Sequence, residues 1–158
     1  LSPLREEIQQ RRPFRSPGHE AVVGLLLTAD RLRRDLGRVV EPRGLTLQQY
    51  NVLRILRGAG DKGLPTLEIA GRMIEQAPGI TRLLDRLERK GCAKRERCPR
   101  DRRRVLVVIT ASGLRLLHDL DTPMAKADDA LIDRLGSRRT VTLIRLLEAL
   151  RKPKRTPS

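Results

Sequence analysis

Residues 80–110 read ITRLLDRLERKGCAKRERCPRDRRRVLVVIT, and the period of the sequence changes inside them. In the first third, Ile80, Leu83, Leu84 and Leu87 recur at helical spacing and make one apolar face. Thr81, Arg82, Asp85, Arg86 and Arg89 fall on the opposite face, and Gly91 supplies a C-terminal stop. Beyond it, residues 92–97 (CAKRER) and 105–109 (VLVVI) are strand-length runs joined by the basic segment CPRDRRR. That pattern predicts a β-hairpin with a long, positively charged tip. Thr110 then caps the next helix.

Working back from Ile80, residues 66–73 predict a short helix with Leu67, Ile69 and Ala70 inward. The break IEQAPG separates it from the basic helix, whose start is placed near residue 77 because Pro78 suits a first helical turn. Two short helices with a tight break between them, the second basic outside, make a helix-turn-helix. Further upstream, Thr46 is a plausible N-cap for a helix with the stripe Tyr50, Leu53 and Leu56, stopped at Gly58. Residues 18–40 carry apolar positions at helical spacing, ended by Pro42 and Gly44. Residues 1–17, punctuated by Pro3, Pro13 and Pro17, read as a flexible arm. The missing initial Met reads as a trimmed tag or leader. Downstream, a helix follows Thr110 with Pro123 predicting a kink or break. A last helix opens at Ser137 with Val141, Ile144, Leu147 and Leu150 along one stripe, and residues 151–158 form a basic, disordered tail.

Composition narrows the partners. Lys and Arg total 34 against 19 Asp and Glu, a net charge of +15, so an acidic partner such as nucleic acid is expected. Phe14 and Tyr50 are the only aromatic residues, which argues against modules that stack single-stranded bases. No apolar run reaches the roughly 20 residues of a membrane span, and no signal-peptide pattern opens the chain. With only Cys92 and Cys98 there is no disulfide framework, so a cytoplasmic setting is the default. Cys98, among arginines, is the candidate for oxidation, but a plain structural role is the preferred reading. Neither a nucleophile–base constellation, nor a phosphate loop, nor an HExxH or CxxC motif appears, so no enzyme, metal or cofactor is expected.

The order of these parts resembles the MarR family of winged helix-turn-helix transcriptional regulators. The resemblance rests on LTLQQYNVLRIL, LEIA, ITRLLDRLERKG and RDRRRVLVVITASGLRLL, densest over residues 45–117. It covers a recognition helix ending in Leu-Glu-x-x-Gly and a wing signature of Asp-x-Arg running into (Leu/Ile)-Thr-x-x-Gly. The chain departs from it at EQAPG, where a Ser often opens the family's recognition helix.

The implied fold is mainly α with a small hairpin wing. Its parts are an arm (1–17), a dimerisation helix (18–44), a DNA-binding lobe (45–109), C-terminal dimerisation helices (110–150) and a tail (151–158). The implied function is a homodimeric, sequence-specific regulator of a pseudo-palindromic double-stranded DNA operator, most often a repressor, on a bacterial or archaeal nucleoid. The competing reading is an architectural protein coating DNA without sequence choice.

On the recognition helix, Arg82 is the candidate for base readout, with Gln76 and Thr81 nearer the start and Arg86 and Arg89 placed for phosphates. The bland alternative is a solvated face tied by an Asp85–Arg89 pair. In the wing, Arg100, Asp101, Arg102, Arg103 and Arg104 are the candidates. The resemblance implies that Asp101 pairs with Arg103 and aims it at the minor groove. It also implies a small-molecule effector between the dimer helices and the DNA-binding lobe, for which Tyr50, His19 and His118 are the candidate contacts. His118 with Asp121 gives two ligands one turn apart, too few for a metal site.

Overall fold

The computed structural model describes residues 2–76, 78–99 and 101–152. Arg100 and the end of the basic tail, residues 153–158, lie outside the described residues. The elements run α1 (Pro3–Glu7), α2 (Pro17–Val40), α3 (Leu47–Ala59), α4 (Thr66–Arg72), α5 (Ile80–Arg89), β1 (Ala93–Arg97), β2 (Val105–Ile109), α6 (Ala111–Ile132) and α7 (Gly136–Arg151). Mainly helical with one two-stranded antiparallel hairpin, this is the winged helix-turn-helix class that the sequence predicts.

α3 is the hub. Its start is fixed by a capping box: Thr46 Oγ1 accepts the Gln49 N–H, and the Gln49 side chain accepts the Thr46 N–H. From there Val52, Leu53 and Leu56 are fully buried, and α3 touches α2, α4, α5, α6 and β2. Leu84 and Leu87 of α5 and Leu117 and Leu120 of α6 close the same core. Each such leucine contributes about 1.5–3 kcal/mol by leaving water. Bidentate hydrogen bonds from Arg57 to Asp121 (2.8 and 3.0 Å) and an Arg43–Asp119 pair (3.0 Å) tie the α3 region to α6.

Four sequence expectations are corrected. The arm contains a helix, α1, anchored where Ser2 donates to Glu20 and Glu7 pairs with Arg31, with Leu4 against Gly24. Of the kink or break expected at Pro123, the break does not occur: α6 is continuous, with Leu117, Leu120 and Met124 on either side of the proline buried against the core. Leu67 is 85% exposed rather than inward, leaving Ile69 as the buried anchor of α4. α7 opens at Gly136, one residue before Ser137, and none of its residues is buried. Among the described residues, no helix is long and apolar enough to cross a membrane.

Candidate nucleic-acid interface

α5 buries Leu83, Leu84 and Leu87, which leaves Thr81, Arg82, Arg86 and Arg89 exposed on its outer side. The helix starts at Ile80, three residues later than the sequence suggests. Gly79 sits at the N-cap with φ 101°, in the left-handed region that only glycine occupies cheaply, and no side chain caps the first turn. Pro78 therefore lies in the preceding turn, and Gln76 lies outside the helix. Thr81 and Arg82 occupy the first turn proper, where a helix reaches deepest into a groove.

The Asp85–Arg89 pair of the alternative reading does not form. Arg89 donates only to the Asp85 backbone carbonyl (3.4 Å), while the Asp85 carboxylate takes Arg95 of β1 at 2.7 Å. Arg95 also bonds Glu88, whose carboxylate accepts the Arg95 N–H at 3.0 Å. The bond to Asp85, then that to Glu88, hold the Arg95 guanidinium above its ordinary pKa despite the cost of burial. Both acids on the outer face of α5 are thus consumed by the hairpin. Among the described residues, Arg82 and Arg86 make no ion pair. Arg95 is a residue that sequence reasoning missed, since nothing in AKRER marks which charge turns toward α5.

At the wing tip, the Cys98 N–H donates to Arg104 O (2.9 Å), and the Arg104 N–H to Asp101 O (3.0 Å). Asp101 Oδ1 accepts the Arg103 N–H at 3.0 Å. Here the expectation from resemblance is corrected: Asp101 holds the backbone of Arg103, and no ion pair joins it to the guanidinium. The carboxylate acts as an Asx turn that shapes the tip. Arg102, Arg103 and Arg104 are all exposed.

Two joints fix the wing to the frame. Leu64 and Val107 exchange backbone bonds (3.0 and 2.8 Å), adding a bridge beside β2. Gly63 at this bridge has φ 59°, and a Cβ there would stand 2.7 Å from Val107 O. At the other end of β2, Thr110 donates to Gly91 O (2.6 Å) and accepts the Gly113 N–H (3.1 Å). A Cβ on Gly113 would meet Cys92 O at 2.3 Å. The Thr-x-x-Gly spacing after the wing is a requirement of close packing. Burial pushes the neighbouring Cys92 thiol up, away from thiolate chemistry.

The sequence model of the MarR family matches residues 45–105, the span from the α3 cap to the end of the wing. A MarR transcription factor from Planctomyces limnophilus is 39% identical, covering 87% of this chain and 99% of its own, with a TM-score of 0.66. The chain belongs to the MarR family. The HTH-type transcriptional regulator MhqR of Bacillus subtilis is 30% identical over 64% of this chain and 68% of its own. A mutant MarR from E. coli complexed with operator DNA is 26% identical, with a TM-score of 0.74 over 81% of this chain and 91% of its own.

In this MarR-family chain an open cleft of about 670 Å³ lies between α2, α3, α6 and the turn after α4. Tyr50 and Arg54 share its wall; Arg54 donates to Tyr50 Oη (3.3 Å), with its guanidinium carbon 5.8 Å from the ring centre. His19 and His118 are not part of the lining. His19 sits in the first turn of α2, edge-on to Phe14, where its N–H bonds the Ser16 cap. His118 is exposed on α6. Its neighbours Asp119 and Asp121 are engaged by Arg43 and Arg57, and among the described residues no group of three or more His, Cys, Asp or Glu gathers. The polar cleft residues that the sequence did not single out include Arg33, Asn51, Arg54 and Glu75.

Proposed function

We propose that this MarR-family chain is a homodimeric, sequence-specific regulator of transcription that reads double-stranded DNA. α5 enters the major groove and the 98–104 wing follows the adjacent minor groove. The observation that carries this reading is the division of charge: the acids of α5 are spent on Arg95, while Arg82, Arg86, Arg102, Arg103 and Arg104 stay exposed. Uncompensated guanidinium groups on a protruding helix and loop suit a polyanion. Arg82 reads a base edge, Arg86 and Arg89 hold phosphates, and Arg103 enters the minor groove. Gln76 and Thr81 flank the start of α5, and Arg100, Arg102 and Arg104 add phosphate contacts. The protein is a binding module of the cytoplasm acting on the nucleoid, most often as a repressor.

Dimerisation is supported by apolar groups that one chain leaves uncovered. Val22, Leu25 and Leu26 of α2 and Val141, Ile144 and Leu150 of α7 are exposed, and α7 buries nothing within the protomer. A two-fold pair would cover them and would read a pseudo-palindromic operator. The cleft, with Tyr50 in its wall and a volume in the range of small-molecule sites, is where an effector would act. The test is competition: a duplex selected from a random library should resist a scrambled competitor, and equal competition would favour an architectural, sequence-blind protein.

A further inference from the structure

The base-reading end of α5 is positioned from outside α5 itself. Locally, little defines it: no side chain caps the first turn, and the lead-in passes through Gly79 in a left-handed conformation. The fixed points lie earlier. Asn51 Oδ1 on α3 accepts the Ile74 N–H at 3.0 Å, which holds the turn although the Ile74 side chain is 87% exposed. The Glu75 carboxylate pairs with Arg33 of α2 and accepts a longer bond from Gln48 of α3 at 3.5 Å. Arg33, which lines the cleft together with Glu75, thus links α2 to the residue beside Gln76.

We infer that Arg33, Asn51 and Glu75 are positioning residues for DNA reading: they clamp the turn before α5 to the helical frame. None of them needs to touch DNA. A reading head whose lead-in is already ordered loses less conformational freedom on binding, so the clamp adds to specific affinity. Arg33 and Glu75 are about half and one-third exposed, so the pair contributes little to overall stability. A loss of specific binding with an unchanged melting temperature is therefore the signature of positioning. The inference rests on the DNA-reading role proposed above for α5.

Glu75→Gln is the informative variant, because its trivial effect has the opposite sign. Removing a negative charge near DNA should strengthen binding on electrostatic grounds alone. The probe is a duplex of about 30 base pairs selected by the wild-type protein from a random library, with a scrambled duplex beside it. The clamp predicts about two- to fivefold weaker binding of the selected duplex by Glu75→Gln. Affinity for the scrambled duplex should stay level or rise, so the ratio between the two falls. The double exchange Arg33→Glu with Glu75→Arg, which restores the pair at constant net charge, should recover the ratio. Unchanged or tighter specific binding by Glu75→Gln overturns the inference, as does a double exchange no better than either single change. Failure of the library to yield any preferred duplex would instead overturn the DNA-reading role, and the clamp with it.

Discussion

Most arginines of residues 30–57 and most of those on α5 and the wing have the same chemistry and opposite fates. Over residues 30–57, Arg34 meets Asp30, Arg38 meets Asp35, Arg43 meets Asp119 and Arg57 meets Asp121. Among the described arginines of residues 82–104, only Arg95 finds carboxylates, and it takes those of Asp85 and Glu88 away from the rest. Arg82, Arg86, Arg102, Arg103 and Arg104 are exposed without an ion pair among the described residues. Net charge alone could not show this. A surplus of +15 could have been spread evenly, whereas the fold leaves part of it concentrated on one helix and one loop. Arg43 and Arg57 hold elements together, whereas Arg82, Arg86, Arg102, Arg103 and Arg104 are left for a partner. Substitutions should therefore sort into those that cost stability and those that cost DNA binding.

The largest effect is expected where the wing joins the frame. Gly113→Ala places a methyl carbon 2.3 Å from Cys92 O, against backbone that cannot swing aside. It should destabilise the protein by about 1–3 kcal/mol or more, seen as a lower midpoint in urea. A midpoint equal to wild type would mean that this joint is looser than described.

Next comes Arg82→Ala, expected to cost about 1–3 kcal/mol of specific DNA binding and to relax base preference at one position of each half-site. Its urea midpoint should stay within about 0.5 kcal/mol of wild type. A uniform loss across all sequences would demote Arg82 to a phosphate contact.

Asp101 separates two accounts of the wing. If its carboxylate shapes the tip through the Arg103 N–H, Asp101→Asn keeps the acceptor and binds DNA at least as well as wild type. Asp101→Ala loses the acceptor and should bind several-fold more weakly, by about 0.5–1.5 kcal/mol. Equal losses in both variants would restore the idea that charge aims the Arg103 side chain.

The smallest effect belongs to a frame pair. Hydrogen bonding to Arg57 holds the Asp121 carboxyl below the usual carboxylate range. Its contribution is fully present above the unfolded value of about 3.9, and is lost as pH falls through the lower folded value. Because both side chains are a third or more exposed, Asp121→Asn should cost no more than about 1 kcal/mol at pH 7. The variant's stability should also fall less steeply than wild type below pH 4, as followed by urea unfolding across pH.

Much of the fold is legible in the sequence, and particular residues show where legibility ends. The two strands follow from a change of period, to within one residue at Cys92, and the α3 cap from Thr46, all local features. The start of α5 was misplaced because Pro78 favours a first turn while Gly79 takes a left-handed conformation that sequence does not announce. Pro123 was expected to interrupt α6, but buried packing on both sides outweighs one lost backbone bond. Partner choice was the least legible. Asp85 lies four residues before Arg89 and ten before Arg95, yet Arg95 wins because the hairpin folds back onto α5. His19 and His118 were attached to the cleft by residue type alone, whereas Arg33, Asn51 and Glu75 reach it by tertiary placement.

The central claim is that unpaired lobe arginines carry DNA binding, and the salt dependence of Arg103→Ala tests it most directly. Affinity for a selected duplex, followed by fluorescence anisotropy at several salt concentrations, should fall for this variant. The slope of log affinity against log salt should become shallower by about one unit, with the urea midpoint unchanged. An affinity and slope equal to wild type would contradict the account, because an exposed arginine of the wing tip would then be touching nothing.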